Sequence, residues 1–423
     1  MVKLKETFSR IYAGGDCAAG KQRPYGHTKA EHRRRRRIEP HGLGVQAHRG
    51  SVSPPADNAS PPPANVRKAC YHKSNERRRA LAIDPHYEDF QRLGLRFAMG
   101  IDASDPFAAA RAATDFSRKF RNNRDALPQT DADRAFHLVA KATDLIDYQL
   151  PFSTEENAPG VIAEARKLLK EALELDPVCP DARRMLAAAD SSSPNDYHRF
   201  LADNAAEIRA ACEQERDRAR ETFGPGEAGN AICMLAMMPY LRWIAVESMN
   251  ALVCGRYRLC VKLALEALEL DPADACDVRY SLALAYAKLE DAEALTELCG
   301  RAEKGAGYAW FALARMALAF KREDRVAAEH EVNMLLNTYP NAGTTLSRQD
   351  DLPDGIFCRI NVQPLSEDEL ILATSEATVL LQEGCDPRMR GTLGSWLAAR
   401  PAVVEAAARE AALDPTLLEG GAS

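Results

Sequence analysis

The chain reads as an all-α fold, a helical solenoid in which hairpins of helix are laid side by side. Three observations carry that reading. The word Glu-Ala-Leu-Glu-Leu-Asp-Pro occurs at 171–177 and again at 266–272, and Ala80-Leu81-Ala82-Ile83-Asp84-Pro85 echoes it. Asp-Pro ends a helix because the residue before proline is pushed out of the α region and proline has no amide donor. A step of 34 residues separates Cys260, Ala294 and Ala328, and the same step separates Ala251, Ala285 and Ala319. Small residues at a fixed step mark places where paired helices approach closely. Between these marks, apolar residues recur at three- and four-residue intervals, the period of a helix face.

With 46% hydrophobic and only 7% aromatic residues, the 423-residue chain can bury a large core. A stack of repeats spreads such a core along most of the length. The net charge of -6 is unevenly divided: residues 1–79 carry 18 Lys and Arg against 6 Asp and Glu, leaving about -18 on the rest. An acidic body argues against broad nucleic-acid binding by it. The eleven cysteines contain no Cys-x-x-Cys, and Cys254, Cys260 and Cys299 fall at apolar helix positions. They read as reduced, buried thiols and predict a cytoplasmic location. Residues 1–13 lack the apolar run of a secretory signal. The longest apolar stretch, 231–241, contains Pro239 and falls short of the ~20 residues that cross a bilayer.

Residues 1–75 read as a disordered basic tail, since the Arg33–Arg37 run, the Pro61-Pro62-Pro63 cluster and few apolar residues do not offset the entropy of ordering. A solvated tail is the plainer reading of Arg33 to Arg37; the alternative function is a regulatory protein that contacts nucleic acid or an anionic surface through this run, and no nucleic-acid contact is expected elsewhere. An alternative reading starts the native protein near Met99. Residues 76–240 form an N-terminal helical region with one degenerate repeat. Phe90, Leu93, Leu95 and Phe97, then Phe107, Ala110, Phe116 and Phe120, keep helical spacing. Asp131–Tyr148 is amphipathic, with Phe136, Val139, Ala140, Leu145 and Ile146 on one face, and Pro151 to Gly160 separates it from a helix starting at Val161. Asn195–Phe223 predicts one long helix, capped by Asn195 or Asp196 and stopped by Gly224-Pro225-Gly226. Pro239 predicts the start of another, because proline suits the first helical turn. Residues 343–423 are expected to be C-terminal capping helices, irregular over 345–365 and helical over 367–413.

The repeats themselves occupy 241–342, in units of 241–274, 275–308 and 309–342, with Pro272 and Pro340 two steps apart. Gly255-x-Tyr257, Ala267-Leu268 and Asp271-Pro272 resemble the tetratricopeptide repeat, whose usual first-helix Trp and Leu-Gly pair are here Ile244 and Glu247-Ser248. An earlier unit, with Ala165, Ala172 and Pro177, is set off by inserted helices over 183–238. Over about 135–400 the chain also resembles a bacterial group related to the suppressor-of-tumorigenicity-seven repeat proteins. The matching words are Ala165-Arg166-Lys167, Pro180-Asp181-Ala182, Pro239-Tyr240-Leu241-Arg242, Gly255-Arg256-Tyr257, Val278-Arg279-Tyr280, Ala309-Trp310, Ser366-Glu367-Asp368-Glu369 and Gly394-Ser395-Trp396-Leu397.

What these resemblances imply is a tetratricopeptide-like solenoid with a concave face lined by first helices, hence a non-catalytic scaffold for an unidentified protein or peptide. By the register they imply, Arg242, Met249, Arg279, Tyr280, Tyr286, Trp310, Phe320 and Lys321 line that groove. Aromatic side chains flanked by Arg and Lys suit a peptide with apolar and acidic side chains. The same aromatics at helical spacing also build cores. Ala245 and Met249 stand where relatives that grip a terminal carboxylate carry Lys and Asn, which disfavours that mode. Enzymatic patterns are weaker still. Gly224-Pro225-Gly226 and Gly305-Ala306-Gly307 lack the lysine of a phosphate loop, and Cys70-Tyr71-His72 lacks a second pair at zinc spacing. His137, His198 and His330 have no nucleophile beside them, and the acids at 350–351 and 367–369 read as exposed carboxylates. No enzyme activity, metal, cofactor or membrane contact is expected.

Overall fold

The computed structural model describes residues 85–99, 115–301, 308–349, 352, 362–383 and 390–413, and every regular element among them is helical. Besides a helical segment over 115–122 and short helical turns over 124–126 and 144–152, they are in chain order α1 (Pro85–Met99), α2 (Asp131–Thr143), α3 (Ala158–Leu175), α4 (Pro180–Asp190), α5 (Pro194–Phe223), α6 (Glu227–Val253), α7 (Tyr257–Leu270) and α8 (Val278–Leu289). There follow α9 (Ala292–Arg301), α10 (Tyr308–Lys321), α11 (Arg325–Thr338), α12 (Ala342–Arg348), α13 (Glu367–Glu376), α14 (Thr378–Leu381), α15 (Thr392–Ala398) and α16 (Pro401–Leu413). The basic tail, Ala80–Asp84, Phe107, Ala110, the acids at 350–351 and the Gly305 terminator lie outside the described residues.

The repeated word folds the same way twice. Asp176 closes α3 at φ -136, ψ 93 and Asp271 closes α7 at φ -134, ψ 88. Proline forces both out of the helical region, and each aspartate amide still completes the last turn, to Ala172 and Ala267 respectively. Gly255 turns α6 into α7 at φ +74, a left-handed conformation natural to glycine.

Three helix starts differ from the sequence reading. The α3 helix opens at Ala158, not at Val161, with Pro159 in its first turn. The long α5 is capped by Ser193, not by Asn195 or Asp196. The Ser193 hydroxyl accepts from the Asp196 amide at 3.2 Å and donates to the Asp196 carboxylate at 2.7 Å, while Pro194 takes the first helical position. Pro239 does not open a helix but lies inside α6, twelve residues from its start. Its missing amide strands the carbonyl of Leu235, and Arg92 of α1 donates to that oxygen at 3.1 Å. The segment 229–253 of α6 is therefore one continuous helix, long and apolar enough by composition to cross a bilayer. In the fold it packs against α5, α7, α8, α4 and α1.

The residues at the 34-residue step take similar places along their helices. Cys260, Ala294 and Ala328 fall in the first turn of α7, α9 and α11, and Ala251, Ala285 and Ala319 fall near the ends of α6, α8 and α10. Cys260, Ala328, Ala251 and Ala285 are fully buried. The hairpins α6–α7, α8–α9 and α10–α11 succeed one another, with α7 against α8 and α8 against α10. One apolar cluster runs from Ala188 to Val403. A second, around Ala135, Leu169 and Met185, joins α2, α3 and α4, and a third joins Leu93 of α1 to Phe116 and Leu127. The C-terminal helices close back on the array: α13 lies on α10, α14 on α8, and α16 on α12.

Candidate functional site

The expected groove residues divide into groups with different surroundings. Tyr280 of α8 and Trp310 of α10 are buried, their rings stacked with centroids 4.5 Å apart. The Trp310 indole donates to Glu376 of α13 at 2.7 Å. Phe320, at the end of α10, packs against Trp396 of α15 at 5.1 Å, and the Arg325 guanidinium lies 3.7 Å over its ring. The parts of α8 and α10 to which the sequence assigns a partner thus meet the chain's own α13, α14 and α15. Apolar surface on α8 and α10 explains these contacts, since both helices are apolar almost all round and need packing on more than one side.

At the ends of α8 and α10, charge converges. Lys288 of α8 and Lys321 of α10 both reach Glu383, just after α14, at 3.3 and 3.1 Å. The Lys288 ammonium also lies 5.4 Å from the Tyr257 ring centre. Burial pulls the Lys288 amine below its ordinary range, and Glu383 offsets part of that. Glu383 itself is pushed up by its partial burial, but the hydrogen bond from Lys321 and the charge of Lys288 prevail and hold it low. Two cations on successive first helices therefore clasp one carboxylate. Lys288 is the residue the sequence reading missed; its signal was its place at the end of α8, one step before Arg322 and beside Lys321.

Arg242 lies elsewhere, in a network of charges where α1, α2, α4 and α6 meet. Its guanidinium makes two bonds to Asp181, at 2.8 and 2.5 Å, and a third to Glu88 of α1. Glu88 also accepts from Arg92 at 2.7 Å. The Phe136 ring has Arg92 4.5 Å from its centre and Arg242 5.3 Å. Burial opposes charge on Asp181, yet Arg242 outweighs it and keeps the carboxyl below its usual range. Next to Glu88, Asp89 takes Arg124 at 2.5 Å and His137 at 2.8 Å. Burial again raises the Asp89 carboxyl, and these bonds more than reverse it. His137, alone in sequence, has a partner 48 residues away.

Three residues remain. Arg279 turns back to Asp274 at 2.7 Å and lies 5.7 Å from the centre of the Tyr280 ring. Met249 is half-buried and Tyr286 is buried. On the seam between α6 and α7, Glu247 is 4% exposed, and its Oε2 has no hydrogen-bond partner. Burial, then repulsion by Glu266, push it up to about 7. The seven described cysteines are free. Burial pushes the Cys179 thiol up to about 12 and the Cys260 thiol up to about 11, the behaviour of packing residues. Among the described residues, no group of three or more His, Cys, Asp or Glu is placed to hold a metal ion. Comparison with protein families, with curated proteins and with solved structures finds no match to the chain.

The chemistry on offer is recognition of carboxylates by fixed guanidinium and ammonium groups beside aromatic rings. Such groups select charge and shape.

Proposed function

We propose that the protein is a non-catalytic interaction scaffold, a tetratricopeptide-like helical solenoid whose first helices grip an acidic segment of a partner protein or peptide. The single observation that carries this reading is the clasp of Lys288 and Lys321 on Glu383. It supports the reading because lysines on α8 and α10, one of them beside the Tyr257 ring of α7, already hold a carboxylate of the same chain. On this reading the segment through α13, α14 and Glu383 holds the place that a partner's acidic segment takes. The solenoid part of the proposal is supported by the 34-residue equivalence of three successive hairpins. Buried free thiols suit a reducing compartment, which supports work in the cytoplasm.

The test compares partner recovery from cell lysate by the intact chain, by Glu383→Ala and by the pair Lys288→Ala plus Lys321→Ala, each checked for helix content. Glu383→Ala is expected to increase recovery of acidic partners and the lysine pair to abolish it. Identical recovery by all three chains discards the site. The buried Trp310 is a poor probe here, because its truncation damages the core whatever the groove does.

A further inference from the structure

The last described helix, α16, has two faces of different character. Inward, Val403 and Ala406 are buried, and Glu410 accepts from the Gly343 and Thr344 amides of α12 at 2.9 and 2.7 Å, which fixes the helix in place. Outward, Val404 is 51% exposed and Leu413 88%, with Ala408 and Ala412 exposed between them. Glu405 and Arg409 are the charged residues of that outward face. Among the described residues, neither side chain makes a hydrogen bond or an ion pair, not even with the other one turn away. Beside them lies a groove of about 390 Å³ between α11 and α16, whose lining includes Leu336, Ala402, Ala406 and Leu413. Apolar side chains left in water next to a groove mark a contact surface.

The two free charges select what covers this surface. Against a parallel copy of α16, Glu405 faces Glu405 and Arg409 faces Arg409, and like charges repel. Against an antiparallel copy centred between these two positions, each Glu405 faces the other copy's Arg409. The antiparallel arrangement is therefore self-complementary, as a two-fold contact must be. In the same register Leu413 of each copy falls beside Pro401 and Ala402 of the other, so the most exposed apolar side chain of α16 reaches the end of the groove that its own chain leaves to alanine.

We infer that the outward face of α16, with the groove beside α11, is the contact through which two copies of this chain pair as an antiparallel, two-fold dimer. The contact is one helix long, about 20 Å, so the dimer forms at micromolar and not at nanomolar concentration. It uses none of the residues of the lysine clasp on Glu383, so each can fail without the other.

The test is sedimentation velocity on the full chain, from sub-micromolar to hundred-micromolar concentration. The native chain is expected to pass from monomer to dimer, with the dimer weakening as salt rises. Glu405→Arg and Arg409→Glu each place like charges at both contacts, and each variant alone is expected to dimerise at least ten-fold more weakly. Both positions are exposed, so circular dichroism is expected to show native helix content in each. Mixing the two variants in equal amounts pairs a chain carrying two arginines with a chain carrying two glutamates, and a mixed dimer as tight as the native one is expected. Both exchanges placed in one chain are expected to restore pairing in the same way. A native chain that stays monomeric throughout, variants that dimerise like the native chain, or a mixture no tighter than its components overturns the inference. Residues 414–423 follow Leu413 and are the competing occupant of the groove. If the dimer appears only after their removal, the groove belongs to that segment and the inference falls.

Discussion

Arg242 shows how one residue's role is set by distance in space and not in sequence. The sequence placed it in a groove by register, and in the fold its guanidinium is bound to Asp181 and Glu88 of its own chain. Replacing it by methionine removes one side of a buried pair and leaves two carboxylates short of partners. Arg242→Met is expected to lower unfolding stability by about 3 kcal/mol in a urea titration, and Arg242→Lys to recover only part, since a point charge does not match a planar fork. A loss below about 1 kcal/mol shows that water replaces the network. Glu247 makes the opposite case, a buried carboxyl without its full set of partners. Its pKa rises from the ordinary 4.5 to about 7 in the fold. The folded state therefore keeps a proton that the unfolded chain gives up between these values. This component of stability is complete below about pH 4.5 and is lost as pH rises through about 7, by at most roughly 3 kcal/mol. Glu247→Gln is expected to match the native chain near pH 4.5 and to exceed it near pH 8; a stability difference that does not change with pH refutes the assignment.

Helix ends were legible wherever local chemistry decides them. Asp-Pro and Gly224 act within a few residues, so α3, α5 and α7 end where their sequence says. The start of α6 was not legible, because a proline inside a helix is tolerated only when a distant group, here Arg92, satisfies the stranded carbonyl. Close approaches between elements are likewise a matter of pairs. A Cβ on Gly343 of α12 would lie 2.4 Å from the backbone nitrogen of Ala407 on α16. Gly343→Ala is expected to cost about 1–3 kcal/mol and to lower the urea midpoint, as overpacking does. Gly160 in α3 has nothing within 4 Å of the same position, so Gly160→Ala is expected to be neutral or to stabilise by up to about 1 kcal/mol. Equal midpoints for both variants contradict the close packing of α12 on α16.

For the molecule as a whole, the division of its apolar contacts predicts how it opens. The main cluster runs continuously from Ala188 to Val403 and takes in the C-terminal helices, whereas the clusters of α1 and of α2–α4 are small and separate. Native-state hydrogen exchange is expected to show α8 and α10 opening only with global unfolding, α2 and α3 opening at lower free energy, and α1 lower still. Equal protection across all of them contradicts this order. The candidate site was legible in part. Tyr280 and Trp310 stack near the starts of α8 and α10, and Phe320 and Lys321 lie at the end of α10; the segments that meet Trp310, Phe320 and Lys321 lie 60 to 80 residues further on, and only the closed fold brings Glu376, Glu383 and Trp396 to them.

From its own residues alone, the chain determined that it is helical, where its hairpins end, and which small positions recur at a 34-residue step. Each of these depends on backbone conformations and side-chain periods that act over a turn or two. The tertiary structure alone decided which charges meet, that Pro239 lies within a helix, and that aromatic and basic side chains of α8 and α10 meet later segments of their own chain. Those outcomes depend on burial and on pairing between residues tens of positions apart, and no short stretch of sequence records which partner a side chain meets.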